Sequence, residues 1–203
     1  VESLILDQLE VLDLLHYGTC SHLAFACVSE YISQHYSPRK LLERFFSMQE
    51  CYAIFREAQK CLRVLISGSQ VTGLFIGCLE MFKDSDMDIY INLKKEPRLA
   101  VALMETGYHL HADLSKSREG SASDDNALLS AMAMNKMILH SKYFFNVIVS
   151  VKEYCNEEGK AIQVIALLGP PMDIILEFHS TCVMNVITSE FAYCLYPMAT
   201  ICK

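Results

Sequence analysis

The sequence predicts an α/β (α+β) fold: a mixed sheet with helices on one face, preceded by an N-terminal helical layer. Three observations predict it. Residues 64–93, VLISGSQVTGLFIGCLEMFKDSDMDIYINL, read as strand, tight turn, helix, loop and strand. The residues before them repeat apolar positions at helical spacing. After them, short runs of branched apolar residues alternate with helical segments. With 203 residues and 52% hydrophobic composition, the chain can build one core of about 100–150 residues plus an appendage. The expected organisation is a helical region over 1–60 and an α/β domain over 61–203.

Residues 3–17 are expected to form an amphipathic helix. Leu4, Leu9, Leu12 and Leu15 lie near one face, Leu6, Val11 and Leu14 widen it, and Gly18 stops it. Residues 20–35 give a second helix carrying Leu23, Phe25, Cys27, Val28 and Ile32. Pro38 opens a third, Arg39 to Met48, because its fixed φ suits a first helical turn. A fourth, Gln49 to Leu62, leads into the first strand. The leading pair, Leu4 to Val28, with Leu-Asp-Leu-Leu at Leu12 to Leu15, faintly resembles an F-box. The resemblance implies a protein partner for the N-terminal helices; plain helical packing explains the same pattern.

Val64, Leu65 and Ile66 make the first strand, a short branched run suited to a buried position. Gly68 can take angles that a Cβ resists, and Ser69 is a good N-cap. A helix then runs from Gln70 to Glu80, with Gly73 on its first turn, where a backbone could approach a ligand. Lys83 to Ser85 form a polar turn. The second strand alternates strictly, placing Asp86, Asp88, Tyr90 and Asn92 on one face and Met87, Ile89 and Ile91 on the other.

Two carboxylates thus stand side by side, roughly 7 Å apart at the backbone. They repel unless a cation or a proton lies between them. Mg²⁺ or Mn²⁺, hard cations that take oxygen ligands, suit such a pair. The free N–H groups after Gly68 suit a phosphate. Together they read as a site for a metal-bound nucleoside triphosphate, against the plainer reading of an edge strand whose aspartates face water.

Gly68-Ser69-x-x-x-Gly73 followed by Ser85-Asp86-Met87-Asp88 resembles the signature of the nucleotidyltransferase superfamily. The segments LISGS and SDMDIYI, and the C-terminal FHSTCVMNVITSEFAYCLYPMATICK, are similar to fungal proteins with a nucleotidyltransferase-like domain. The resemblance implies that Gly68, Ser69, Gly73 and Ser85 bind the triphosphate, and that Asp86 and Asp88 are the catalytic, metal-binding pair. It also places the α/β domain of 61–203 in that fold. Sixteen residues separate Ser69 from Asp86, more than the family usually has, so a longer helix or loop must absorb them.

The rest of the chain follows the expected order. A helix from Pro97 to Thr106 ends at Gly107, and Tyr108 to His111 is a short strand. Asp113 to Asn126, DLSKSREGSASDDN, reads as a mobile loop, followed by a Met-rich helix over Ala127 to Leu139. Tyr143 to Tyr154 and Ala161 to Leu168 form a hairpin around Gly159. Met172 to Phe178 is a short helix, and Ser180 to Ile187 a strand or a buried helix.

The family's third carboxylate lies on a later core strand between apolar neighbours. The matching position here is Gln163, in Ile162-Gln163-Val164. An amide offers an oxygen but no charge, so the site reads as degenerate, and catalysis is in doubt; Asp173 and Glu177 are weaker substitutes. With an intact set of carboxylates, the alternative is an active transferase moving a nucleoside monophosphate to a hydroxyl of a protein, an RNA or a small molecule. A second alternative is a non-catalytic protein-interaction domain.

Other clusters are weaker. His109 and His111 share a strand face; Cys20, His22 and Cys27 lack zinc spacing. Cys182 near His179 shows no orienting acid. Arg39, Lys40, Arg44, Arg56, Lys60 and Arg63 outnumber the acids between them and could meet phosphates, or simply solvent. The net charge of −7 disfavours nucleic acid as a general ligand. Nine cysteines without a C-x-x-C pair suggest free thiols in a reducing compartment. No secretory signal or spanning segment is read, so the expectation is an intracellular protein, cytoplasmic or nuclear, without a membrane partner.

Overall fold

The computed structural model describes residues 2–115 and 148–201. Five helices lead: α1 (Glu2–Leu6), α2 (Val11–Gly18), α3 (His22–His35), α4 (Pro38–Leu42) and α5 (Gln49–Leu62). The expected first helix is split in two around residues 7–10, and the third is only one turn long. Then come β1 (Leu65–Ser67), α6 (Ser69–Phe75), a 3-10 turn at Leu79–Phe82, β2 (Met87–Asn92), α7 (Glu96–Glu105) and β3 (His109–Asp113). β4 (Ile148–Cys155), β5 (Ala161–Leu167), α8 (Pro171–Ile175), β6 (Asn185–Ile187), β7 (Ala192–Cys194) and α9 (Pro197–Ile201) complete it. Most of the loop expected over 113–126, the helix over 127–139 and the start of the strand from 143 lie outside the described residues.

The fold is mixed α/β. Seven described strands form one sheet in the order β3-β4-β5-β2-β1-β6-β7. β2 pairs parallel with β5 and antiparallel with β1, which makes it the seam between two antiparallel halves. β1, β2 and α6 form the expected strand–helix–strand unit. The long spacing between Ser69 and Asp86 is not absorbed by a longer helix. Gly77, at φ +71°, turns the chain out of α6, and the 3-10 turn takes up the remainder.

One face of the sheet carries Ile66, Met87, Ile89, Ile91, Ile162 and Val164 against α4, α5 and α7. Leu41, Phe46, Phe55 and Leu62 belong to this same core. Leu6, Leu14 and Val28 of α1–α3 instead form a small cluster of their own. On the other face, Tyr90, Ile165 and Leu167 pack against Ile174, Ile175 and Phe178. Polar staples join distant segments. Gln59 Nε2 donates to the Ile187 carbonyl at 3.2 Å, and Arg56 Nη1 to that of Thr188 at 3.3 Å. Arg56 Nη2 also donates to the Ser189 carbonyl. Lys152 on β4 pairs with the largely buried Glu96 of α7 at 2.5 Å.

Candidate functional site

Strand register assembles the site. Asp88 stands opposite Ser67 of β1 on one side and Gln163 of β5 on the other. Gln163 in turn stands opposite Glu153 of β4. Directly opposed residues share a sheet face, so Ser67, Asp88, Gln163 and Glu153 form a polar row. Asp86 lies one pleat beyond Asp88, just before β2 begins. The apolar interior of that face starts at Tyr90, one pleat further in.

The Gly68 turn closes on this row. Gly68 has φ +88° and ψ −160°, a region that only glycine occupies readily. A Cβ there would land on Asp88 Oδ2, with Cγ 3.1 Å away. The turn and the carboxylate are therefore in direct contact. Because the chain reverses at Gly68, helical angles already begin at Ser69. Gly68 is the N-cap, and Ser69 is the first residue of α6 rather than its cap.

Gly73 has a different role from the one its position in the motif suggests. It is buried, and a Cβ would lie 2.6 Å from Phe82 Cδ2. The glycine admits the Phe82 ring against α6, not a ligand. Ser85 is half-buried, and its carbonyl accepts from Gln70 Nε2 at 2.7 Å. The same amide donates to the Phe82 carbonyl at 2.6 Å. Gln70, fully buried and absent from the motif, thus ties the segment leading into Asp86 to α6.

Electrostatics set the site apart. Burial raises the Asp88 carboxyl well above the usual carboxylate range, and the Asp86 charge adds to it. Burial also raises Asp86; its own backbone N–H opposes the shift, and the Glu153 charge adds to it. Glu153 is a carboxylate that the motif does not contain. It lies on a strand read only as apolar, and its one sequence signal is a charged pair, Lys152-Glu153, interrupting a branched run. Lys152 turns to Glu96 on one face while Glu153 turns to Gln163 on the other.

The remaining candidates fall elsewhere. Asp173 and Glu177 are exposed, and α8 starts just past Leu167, which pairs with Asn92 at the opposite end of β2 from Asp86. His111 Nε2 lies 3.9 Å from Glu153 Oε1, and His109 is opposite Cys155. Cys20 Sγ donates to the His16 carbonyl, and Cys182 Sγ lies 2.9 Å from Ser180 Oγ. Of the basic cluster, Arg44 donates to the Leu79 carbonyl, Arg39 pairs with Glu43, and Arg63 adopts the left-handed C-cap of α5. The Arg39 and Arg44 side chains are thus engaged within the chain, while at Arg63 it is the backbone that ends the helix.

Two carboxylates and an amide are a donor set for a hard cation. Among the described residues, no three His, Cys, Asp or Glu side chains converge closely enough to hold an ion by themselves. Mg²⁺ is commonly held by one or two carboxylates, with phosphate oxygens and water completing its shell, and the pair fits that mode. Among the described residues no helix is long and apolar enough to cross a membrane. Neither family models, nor curated proteins, nor solved structures yield a match to this chain.

Proposed function

We propose that the chain binds a metal-bound nucleoside triphosphate at the Gly68 turn and the Asp86–Asp88 pair, in a nucleotidyltransferase-like site that has lost its usual third charge. The observation carrying this reading is the register: Asp88 touches Gly68 on one side and faces the neutral Gln163 on the other. Asp86 and Asp88 would hold Mg²⁺ or Mn²⁺, and Ser69 and Ser85 would stand beside the phosphates. When bound, the cation neutralises triphosphate charge and relieves the repulsion between the two aspartates. The turn orients the phosphates, while the wall of Tyr90 and the buried strand behind it keep water from the inner side of the pair.

Calorimetry tests it. ATP with Mn²⁺ is expected to bind, and Asp86→Asn with Asp88→Asn is expected to abolish the metal dependence. In thermal melts, Gln163→Asp should enlarge the Mn²⁺-induced shift, because a third carboxylate adds charge and an oxygen ligand. No nucleotide binding at millimolar ligand with either metal would overturn the reading.

A second reading, an active transferase, is favoured by Glu153. It stands opposite Gln163, and its charge acts on Asp86. On that reading Glu153 supplies the missing charge from one strand further out. Transfer of label from an α-labelled triphosphate to an acceptor, lost in Glu153→Gln, would establish it.

A further inference from the structure

Asn185 opens β6 and is fully buried. A buried amide must find partners for its hydrogen-bonding groups, and this one does. Its Nδ2 donates to the Cys182 carbonyl at 2.9 Å and to Thr72 Oγ1 at 3.3 Å. Its Oδ1 lies 3.4 Å from Thr200 Oγ1, which also reaches the Cys182 carbonyl at 3.2 Å. Two N–H donors beside an acceptor oxygen are what an amide offers and a hydroxyl or a carboxylate does not.

These contacts reach the Gly68 turn from both sides. Antiparallel pairing of Ile66 with Ile187 brings residue 185 level with residue 68. Before the turn, the buried Ser67 hydroxyl donates to the Asn185 carbonyl at 2.6 Å. After it, Thr72 accepts from Asn185 and donates its own hydrogen to the Gly68 carbonyl at 3.2 Å. A hydroxyl has one hydrogen to give, so the chain runs one way, from amide to hydroxyl to turn. The turn in its place leaves no room for a Cβ beside Asp88 Oδ2, so neither Gly68 nor Asp88 can shift alone. We propose that Asn185 is a positioning residue of the nucleotide site, holding the Gly68 turn against Asp88 through the Thr72 hydroxyl. The inference rests on the nucleotide reading above, and adds that a strand from the C-terminal part of the chain belongs to the framework of the site. Removing an outer partner that orients a ligating group typically lowers metal affinity or activity by about 10–100-fold. A metal-held triphosphate should register a displaced turn on the same scale.

The test measures binding of ATP with Mn²⁺ to the full chain by calorimetry. Thr72 is half-buried, and Thr72→Val keeps its shape while removing the hydroxyl, so circular dichroism should show the fold unchanged. Its affinity should fall by about tenfold or more. Thr72→Ser, which retains the hydroxyl, should bind like the parent. Asn185→Asp keeps the acceptor and loses the donor, so it should match Thr72→Val, and the double variant should lose no more than either change alone. If Asn185→Asp does not fold, the two Thr72 variants decide the matter. Arg56→Ala loosens the same β6–β7 hairpin from the α5 side, at Thr188 and Ser189. It should lower the melting temperature and leave the affinity where it was. Three results would overturn the proposal while leaving the nucleotide reading intact: parent-like binding by Thr72→Val, binding by Thr72→Ser as weak as by Thr72→Val, or an equal loss in Arg56→Ala. No binding by the parent itself would remove both.

Discussion

Asp88 is held where both burial and its neighbour oppose its charge, and this has a consequence for stability. Its folded pKa lies well above the ordinary 3.8. The folded state therefore takes up a proton more readily than the unfolded chain. That contribution is fully present below 3.8 and is lost as pH rises through the folded value. Asp88→Asn should accordingly stabilise the metal-free protein at pH 7, and the gain should vanish in acid. Urea melts at both extremes decide it; equal stability of variant and parent at neutral pH would contradict the account. The aspartate pair was legible from sequence because strict alternation fixes a shared face. Glu153 was not, because its place depends on the antiparallel register of β4 against β5, which no local pattern encodes. Gly68 was legible as a turn, but the reason it must be glycine, the Asp88 carboxylate, is a contact between strands.

At the level of elements, α5 does more than cover the sheet. Arg56 and Gln59 reach across to carbonyls at Ile187, Thr188 and Ser189, and Arg56 Nη1 also meets Gln59 Oε1 at 2.5 Å. They replace the pairing that a short hairpin, β6–β7, cannot supply alone. Arg56→Ala should cost about 1.5–3 kcal/mol, the range for hydrogen bonds to a charged donor. Amide exchange should accelerate selectively in residues 185–194; a uniform acceleration would show the staple to be unnecessary there. The sequence displays this arginine only as part of a basic helix face. Its carbonyl partners lie 132 and 133 residues away, beyond the reach of periodicity. The paired strands around α6 were readable for the opposite reason, since turn, helix and second strand follow one another in a single continuous stretch.

Among the described residues, the helices α1–α3 and the sheet do not share one core. Leu6, Leu14 and Val28 hold α1–α3 together, while α4 and α5 belong to the core beneath the sheet. Residues 2–36 should therefore exchange their amide hydrogens well before the sheet does, by local opening rather than global unfolding; matching protection in both parts would refute this. Helical periodicity marked the four expected N-terminal helices alike and could not tell which of them share a core. The geometry of β1 also governs when the sheet can be finished. This three-residue strand pairs with β2 close by in sequence, but its other edge waits for β6, and the Ser67 hydroxyl reaches the Asn185 carbonyl across 118 residues. During synthesis the ribosome must release most of the chain before that edge is covered. Until then Leu65 to Ser67 present an open template to any other extended segment. The last strands act as the closure of the nascent sheet, and a ribosome stalled before residue 185 would hold a chain prone to join its neighbours through that edge.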